Sequence, residues 1–158
     1  MSSILSTIIY LFIFLTVSVI LIKNLIIPSL VNYQYGLLND PDFTIGESRI
    51  QGVGIFTKRQ RKMGEQLFVA VDMNEHVTPV GSKINHCPSK KTILDNGRVV
   101  TGDTVLPNTY LSTAPDKTTG EWWVMAARDL DAGEELTADY TYTPDFIIKP
   151  DPEWQCEL

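Results

Sequence analysis

The stretch Gly133-Glu134-Glu135-Leu136-Thr137-Ala138-Asp139-Tyr140-Thr141-Tyr142 decides the fold of this chain. The preceding Asp131-Ala132 and Gly133 predict a tight turn, because glycine adopts a positive φ without a Cβ clash. Glu135-Leu136-Thr137 then alternates as a half-buried strand does. Tyr140 and Tyr142 point to the same side if the backbone there is extended. Two such phenols would line one pocket, although packing at the edge of a core is the alternative for the pair.

Composition limits the classes of function. The chain has 158 residues, which is the length of one domain. Its formal net charge of -6 argues against non-specific binding to nucleic acid, and we expect none. Its two cysteines, Cys87 and Cys156, are too few for a disulfide framework or a zinc cluster, so no metal site is predicted. A reducing compartment is the default expectation, and a single disulfide stays open.

The N-terminal region predicts a membrane anchor. Residues 4–22 carry no charge, and a helix of that length rises about 28 Å, close to the ~30 Å hydrocarbon core of a bilayer. We therefore predict a transmembrane anchor over residues 1–28, in contact with the membrane through residues 4–27 and ending at Pro28. A cleaved signal peptide is the alternative, but no Lys or Arg precedes the run and no small-x-small site follows it. Lys23 favours a cytoplasmic C-terminal domain by the positive-inside rule.

The rest of the chain predicts a mainly β domain. Residues 29–41 form a juxtamembrane linker, the domain occupies residues 42–143, and a Pro-rich tail over residues 144–158 packs back onto it. The predicted strands are short apolar runs between Gly, Pro and Asn residues: 43–45, 52–57, 66–71, 98–101, 109–112, 122–127 and 135–137. The basic run 58–62 between two of them is most simply a solvated turn.

Three segments carry recognisable motifs. They are Gly52-Val53-Gly54-Ile55-Phe56, Ile84-Asn85-His86-Cys87 and the fourteen residues from Ala127 to Tyr140. Glycines two apart let a backbone approach a ligand closely, although alone they indicate only a turn. In this order, the segments resemble the SET domain of protein lysine methyltransferases. The third match is the most specific, and the resemblance spans roughly residues 42–143.

The resemblance implies a fold and a site. The fold is the SET-domain (β-clip) arrangement of short strands with a C-terminal pseudoknot, here preceded by one transmembrane helix. The implied cofactor is S-adenosylmethionine. The implied site residues are Gly52, Val53 and Gly54 around its methionine part, Asn85 and His86 at its adenine through backbone groups, Tyr140 as the catalytic tyrosine, and Tyr142 in the wall of the lysine channel.

The expected function is that of a membrane-anchored protein-lysine N-methyltransferase acting on a protein lysine. A basic, histone-like tail is one candidate substrate, because residues 121–158 contain ten acidic and two basic residues. The cofactor is a cytosolic metabolite, so the domain of this single-pass protein is expected in the cytoplasm. Only thirty residues separate Gly54 from Asn85, where the family carries a longer insert. A SET-like binding or structural module without turnover is therefore the first alternative, and an unrelated small β domain is the second.

Overall fold

The computed structural model describes residues 2–87 and 107–150. Two helices come first, α1 (Ser2–Leu21) and α2 (Ile27–Gln34), joined by a π-helical segment at Ile22–Ile26. The strands are β1 (Phe43–Glu47), β2 (Val53–Thr57), β3 (Gln66–Val71), β4 (Asn85–His86), β5 (Thr109–Leu111), β6 (Trp122–Ala126) and β7 (Thr137–Ala138). Single turns of 3-10 helix occur at Gly81–Lys83 and Tyr140–Tyr142. The strand predicted over residues 98–101 lies outside the described residues.

The chain as a whole is mixed rather than mainly β, because of its helical N-terminal region. From residue 43 onward, the described elements are the seven strands and the two 3-10 turns, as expected for the domain. The turn predicted before the closing stretch is confirmed, since Gly133 has a φ of 85°.

The helix does not end at Pro28. It passes through the π-helical segment, in which the Ile27 N–H donates to the Ile22 carbonyl, and continues to Gln34. A proline inside an α-helix clashes with the carbonyl four residues before it. The wider π turn relieves that clash and places Pro28 in the first turn of α2, where a missing N–H costs nothing. Part of the predicted linker is therefore helical.

One described helical stretch, Ser6–Gln34, is long and apolar enough to cross a membrane. Its most apolar window of 18 residues has a mean hydropathy of 2.3, and none of that window is buried in the protein. Length and composition suit a membrane span and a secretory signal alike, and they leave the orientation unassigned.

The described strands form two sheets. Strands β1 and β2 are an antiparallel hairpin in which Ile45 faces Ile55. The second sheet has the order β3-β6-β5-β7-β4. Strand β7 is parallel to both of its neighbours, β4 and β5. The last strand is thus inserted between two strands that precede it in the chain, as a pseudoknotted ending requires, although the connection from β4 to β5 lies largely outside the described residues.

The hydrophobic core joins the two sheets and the end of the helix. Ile55 of β2, Val124 of β6 and Leu136 before β7 are all at most 1% exposed. Leu37 is also buried in this cluster, with Val31 and Tyr35 packed against it. The packed unit therefore begins before Asp42, the predicted start of the domain.

The basic run 58–62 contains a buried cation. The Arg61 side chain is 3% exposed and forms ion pairs with Asp42 at 2.8 Å and with Glu65 at 2.6 Å. Its guanidinium also lies 4.8 Å from the centre of the Phe43 ring. Backbone hydrogen bonds join Arg61 to Leu130 in both directions. The prediction of a solvated turn is wrong for Arg61, because a charged side chain with two carboxylate partners can be buried.

The described beginning of the C-terminal tail packs on the domain. The Phe146 ring meets the Trp122 ring edge to face at 5.9 Å. Ile147 contacts the core, while Ile148 is exposed. Residues 151–158 of the predicted tail lie outside the described residues.

Candidate functional site

The three motif segments meet around the side chain of Asn85. Its amide nitrogen donates to the Glu135 carboxylate at 2.8 Å, to the Ser48 hydroxyl at 2.9 Å and to the Val53 carbonyl at 3.4 Å. The Ser48 hydroxyl in turn donates to Glu135 at 2.6 Å. Asn85 thereby connects the glycine segment to the closing stretch. The sequence does not predict a role for Ser48. Its hydrogen bond to Glu135 joins residues that are 87 positions apart, so no local sequence pattern indicates it.

The two glycines of the first motif serve different needs. Gly52 has a φ of 57°, a conformation that side-chain-bearing residues rarely adopt, and a Cβ there would meet nothing within 4 Å. A Cβ on Gly54 would lie 2.3 Å from the Glu135 carboxylate oxygen. Gly54 is therefore required by the close approach of Glu135, whereas the backbone at Gly52 faces open space.

We expect Gly54→Ala to destabilise the domain by about 1–3 kcal/mol, because the new methyl group displaces the Glu135 carboxylate from Ser48 and Asn85. Chemical denaturation followed by tryptophan fluorescence measures this cost. The same substitution in a Glu135→Ala background is the control. There the cost should shrink, since the obstructing carboxylate is gone. An undiminished cost would show that another contact enforces the glycine.

His86 fixes the backbone of Tyr140. The Tyr140 N–H donates to Nδ1 of His86 at 3.0 Å, so this nitrogen carries no proton. The two rings lie 5.5 Å apart at an interplanar angle of 43°. Burial lowers the pKa of His86 below its ordinary value, with partial opposition from the Asp139 carboxylate and the Ala138 carbonyl. The neutral imidazole is thus the form that holds Tyr140 in place.

This pairing predicts a pH dependence of stability. Because the pKa of His86 is lowered on folding, the unfolded chain binds the additional proton as the pH falls below 6.5. The free energy of unfolding should therefore decrease between that pH and the lower pKa of the folded state. It should not depend on His86 above that range. Denaturation at several pH values measures the slope, and His86→Gln should flatten it; an equal slope in that variant would contradict the assignment.

The Tyr140 hydroxyl points into the protein. It donates a hydrogen bond to the Ile84 carbonyl, immediately before the Asn85-His86 strand. Burial raises the pKa of Tyr140 to about 12. The phenol is therefore neutral near pH 7. It can orient a reacting group through its oxygen, but it does not serve as a base in that range.

An apolar cavity of about 340 Å³ adjoins Tyr140. Its walls include Val71 of β3, Leu111 of β5 and Val124 of β6. Gly52, Gly54 and Asn85 do not line it. Tyr140 therefore lines this cavity, whereas the motif glycines and Asn85 do not.

Tyr142 does not share the cavity of Tyr140. The expectation that both rings point to one side required an extended backbone, but residues Tyr140–Tyr142 form a 3-10 turn. The Asp139 carboxylate accepts the Thr141 N–H at 2.9 Å and initiates that turn. Tyr142 is 63% exposed and lines a separate cavity. The same-side placement is wrong, and a role of Tyr142 in a lysine channel stays a prediction.

Asn108 is a positioning residue that the sequence did not reveal. It is 1% exposed. Its amide donates to the Glu135 carbonyl at 2.7 Å, and its side-chain oxygen accepts the Thr137 N–H at 2.8 Å. These bonds hold the strand that leads to Tyr140. The Pro107-Asn108 pair is typical of a turn, and the local sequence does not distinguish an asparagine in an exposed turn from a buried one.

Cys87 follows the Asn-His pair and is fully buried. Its sulfur is disulfide-bonded, and its N–H donates to the Ala138 carbonyl at 3.0 Å. Cys87 is therefore not the reduced cysteine of the default expectation, and the single disulfide that the sequence left open is present at this position. The chain's other cysteine, Cys156, lies outside the described residues.

Comparison with known proteins adds little to this geometry. No family model matches the chain, and no curated protein matches it. The solved structures that match include a protein of Plasmodium falciparum provisionally described as a histone methyltransferase. It is 17% identical, the match covers 66% of this chain and 96% of that protein, and the TM-score is 0.43. A similarity of this size carries no argument, so the functional inference rests on the site.

Proposed function

We propose that this chain is a membrane-anchored SET-domain protein-lysine N-methyltransferase that uses S-adenosylmethionine. The observation that supports this most is the meeting of three distant motifs around Asn85, with the Tyr140 hydroxyl buried beside an apolar cavity. The insertion of β7 between β4 and β5 agrees with the proposed fold. Perturbed and buried polar groups at a cavity are typical of functional sites.

Four of the five motif residues expected at the cofactor are suited to bind S-adenosylmethionine, and the fifth, Gly54, is not. The backbone at Gly52 faces open space, which permits the close approach of a ligand. Strand β4 is outermost in its sheet among the described strands, so one backbone edge of Asn85-His86 faces away from the sheet. Gly52 and Val53 would hold the methionine part of the cofactor, and Asn85 and His86 would bind its adenine. Gly54 acts through packing, since Glu135 occupies the space beside it.

The chemistry requires a neutral amine and accurate alignment. When bound, S-adenosylmethionine supplies a methyl group on a positively charged sulfur. The lone pair of the lysine nitrogen forms the new N–C bond, the electrons of the S–C bond remain on sulfur as a neutral thioether, and a proton passes to water. A lysine amine has an ordinary pKa near 10.4, and an apolar cavity favours its neutral form. In this proposal the Tyr140 oxygen would orient the amine, because its proton is directed to the Ile84 carbonyl and its lone pairs stay available.

The alternative is a SET-like module that binds without turnover. Two motif residues support this alternative, because they contact other groups of the protein. The Asn85 amide donates to Ser48 and Glu135, and Gly54 leaves room for the Glu135 carboxylate. In this view the motif residues preserve the fold rather than a reaction. A binding measurement and a transfer measurement together separate the two functions.

Isothermal titration of the full chain in detergent with S-adenosylmethionine tests the binding step. We expect saturable binding that Asn85→Ala weakens by about ten-fold or more, because the loss frees the Glu135 carboxylate and disturbs the glycine segment. Asn74→Ala in an exposed loop is the matched control and should bind as the parent does. The absence of saturable binding by the parent chain would reject both SET-domain proposals.

The proposed cytoplasmic location also needs a test. The cofactor is supplied in the cytosol, whereas the disulfide at Cys87 is of a kind found mainly in oxidising compartments. Protease protection in sealed membrane vesicles distinguishes the two sides. Digestion of the domain from the cytosolic face is expected, and protection from it would count against activity.

A further inference from the structure

The candidate membrane span continues into the domain without a flexible joint. Helical structure runs from Ser2 through the π-helical segment to Gln34. Lys23 is the first charged residue of the chain. Asn32 is nine residues further on, which corresponds to about 14 Å along a helix axis. A helix that enters the bilayer therefore holds Asn32 at a short, fixed height above it.

Side-chain bonds attach α2 to the domain. The Asn32 oxygen accepts the Ile45 N–H at 2.9 Å and the Thr44 hydroxyl at 3.2 Å. Its amide nitrogen donates to the Pro28 carbonyl at 2.9 Å. Val31 packs against the hydrophobic core on the same side. The first strand of the domain is thus bonded directly to the helix.

A short chain of contacts leads from α2 to Tyr140. The ammonium of Lys83 lies 5.1 Å from the centre of the Tyr35 ring, one residue beyond α2. The next residue, Ile84, accepts the hydrogen bond of the Tyr140 hydroxyl. The Tyr35 ring, one lysine side chain and one peptide unit therefore separate the backbone of Tyr35 from the Tyr140 hydroxyl, which is about 25 Å at most. Together with the roughly 18 Å from Lys23 to Tyr35, the site lies within about 45 Å of the bilayer boundary at Lys23.

We infer that the substrate is a lysine in the membrane-proximal segment of another membrane-embedded polypeptide. This inference rests on the proposed function. An extended segment of about thirteen residues spans some 45 Å, so a lysine within that distance of its own span can reach Tyr140. Confinement to one bilayer raises the effective concentration of such a lysine over that of a soluble one.

The charge of the chain is better suited to a basic protein substrate than to anionic lipid headgroups. Three of the four cations in the basic run have carboxylate partners within the domain: Arg59 and Arg61 both pair with Asp42, and Lys62 pairs with Asp129. The chain carries a formal net charge of -6. Cytoplasmic segments next to membrane spans are enriched in lysine and arginine. An acidic domain held at that height is complementary to them.

The test uses the full chain in lipid nanodiscs together with single-span peptides. Each peptide carries one lysine beyond a rigid polyproline spacer of roughly 0, 10 or 20 residues, which sets its height at about 0, 30 or 60 Å. We expect transfer to the two lower lysines to exceed transfer to the highest one, and to the same segment without a span, by about ten-fold or more. Equal rates for all four substrates would overturn the inference.

A lengthened helix sharpens this test. Seven helical residues inserted between Lys23 and Asn24 raise the domain by about 10 Å and turn it by only about 20°. The preferred spacer should lengthen by about three prolines. Transfer to a soluble lysine peptide in detergent reports whether the variant is intact and should equal that of the parent. An unchanged spacer preference in an intact variant would contradict the fixed height, and the absence of transfer to every substrate would reject the proposed function itself.

Discussion

Replacement of Tyr140 by phenylalanine is expected to reduce methyl transfer by about 10²–10³-fold, the usual cost of one preorganised polar group at a reacting centre. The hydroxyl is the polar group of this ring, and it stands beside the apolar cavity with its proton directed to the Ile84 carbonyl. Because burial raises the pKa of Tyr140 to about 12, the rate should show no titration of this phenol near neutral pH. Initial rates with labelled S-adenosylmethionine measure both effects.

Two controls separate chemistry from folding in this variant. Loss of the hydroxyl leaves the Ile84 carbonyl without this donor and should cost about 1–3 kcal/mol of stability, which denaturation reports independently. Tyr33→Phe removes the hydroxyl of a ring that is 70% exposed on α2 and should leave the rate unchanged. A Tyr140→Phe protein that is folded and retains most of its activity would remove Tyr140 from the mechanism.

Arg61→Ala is expected to be the most destabilising single substitution that we predict, with a loss of about 3 kcal/mol or more in the free energy of unfolding. The change leaves Asp42 and Glu65 without their buried partner and opens space beside Phe43. The two carboxylates are 28% and 32% exposed, so water recovers part of the loss. Chemical denaturation of the full chain in detergent, followed through the tryptophans of β6, measures the change.

Arg59→Ala is the matched control, since Arg59 pairs with the same Asp42 carboxylate but its side chain is 57% exposed. Exposed ion pairs contribute about 0–1 kcal/mol. Equal losses in the two variants would show that burial of Arg61 has no special importance. Below about pH 4, protonation of Asp42 should reduce stability in the parent, because the ion pairs hold the pKa of that carboxyl below its ordinary value.

Strands were the most predictable part of this chain. The run 66–71 matches β3 at both ends, and β1, β2, β5 and β6 begin within one residue of their predicted positions. Short apolar runs bounded by glycine, proline or asparagine carry enough information for this, because the pattern and the turn chemistry agree. The closing strand β7 begins two residues and ends one residue later than predicted, since its pairing with β4 and β5 depends on residues far away in sequence.

Local sequence patterns predicted the wrong conformation at positions where one contact or one irregular turn determines the backbone. The stop predicted at Pro28 did not occur, because a π turn places the proline at the start of α2. Tyr140 and Tyr142 do not point to the same side, because the Asp139 carboxylate accepts the Thr141 N–H and the backbone turns there. The motif residues were identifiable from the sequence, but their partners Ser48 and Asn108 were not.

Methyl transfer by this chain is the measurement that bears most directly on the proposed function. The protein is incubated with labelled S-adenosylmethionine and a whole-cell lysate that retains its membranes, and the modified residues are identified by mass spectrometry. We expect methylated lysine side chains that depend on Tyr140 and lie mainly near membrane spans. A parent protein that binds the cofactor but transfers no label above the level of Tyr140→Phe would contradict the proposed function.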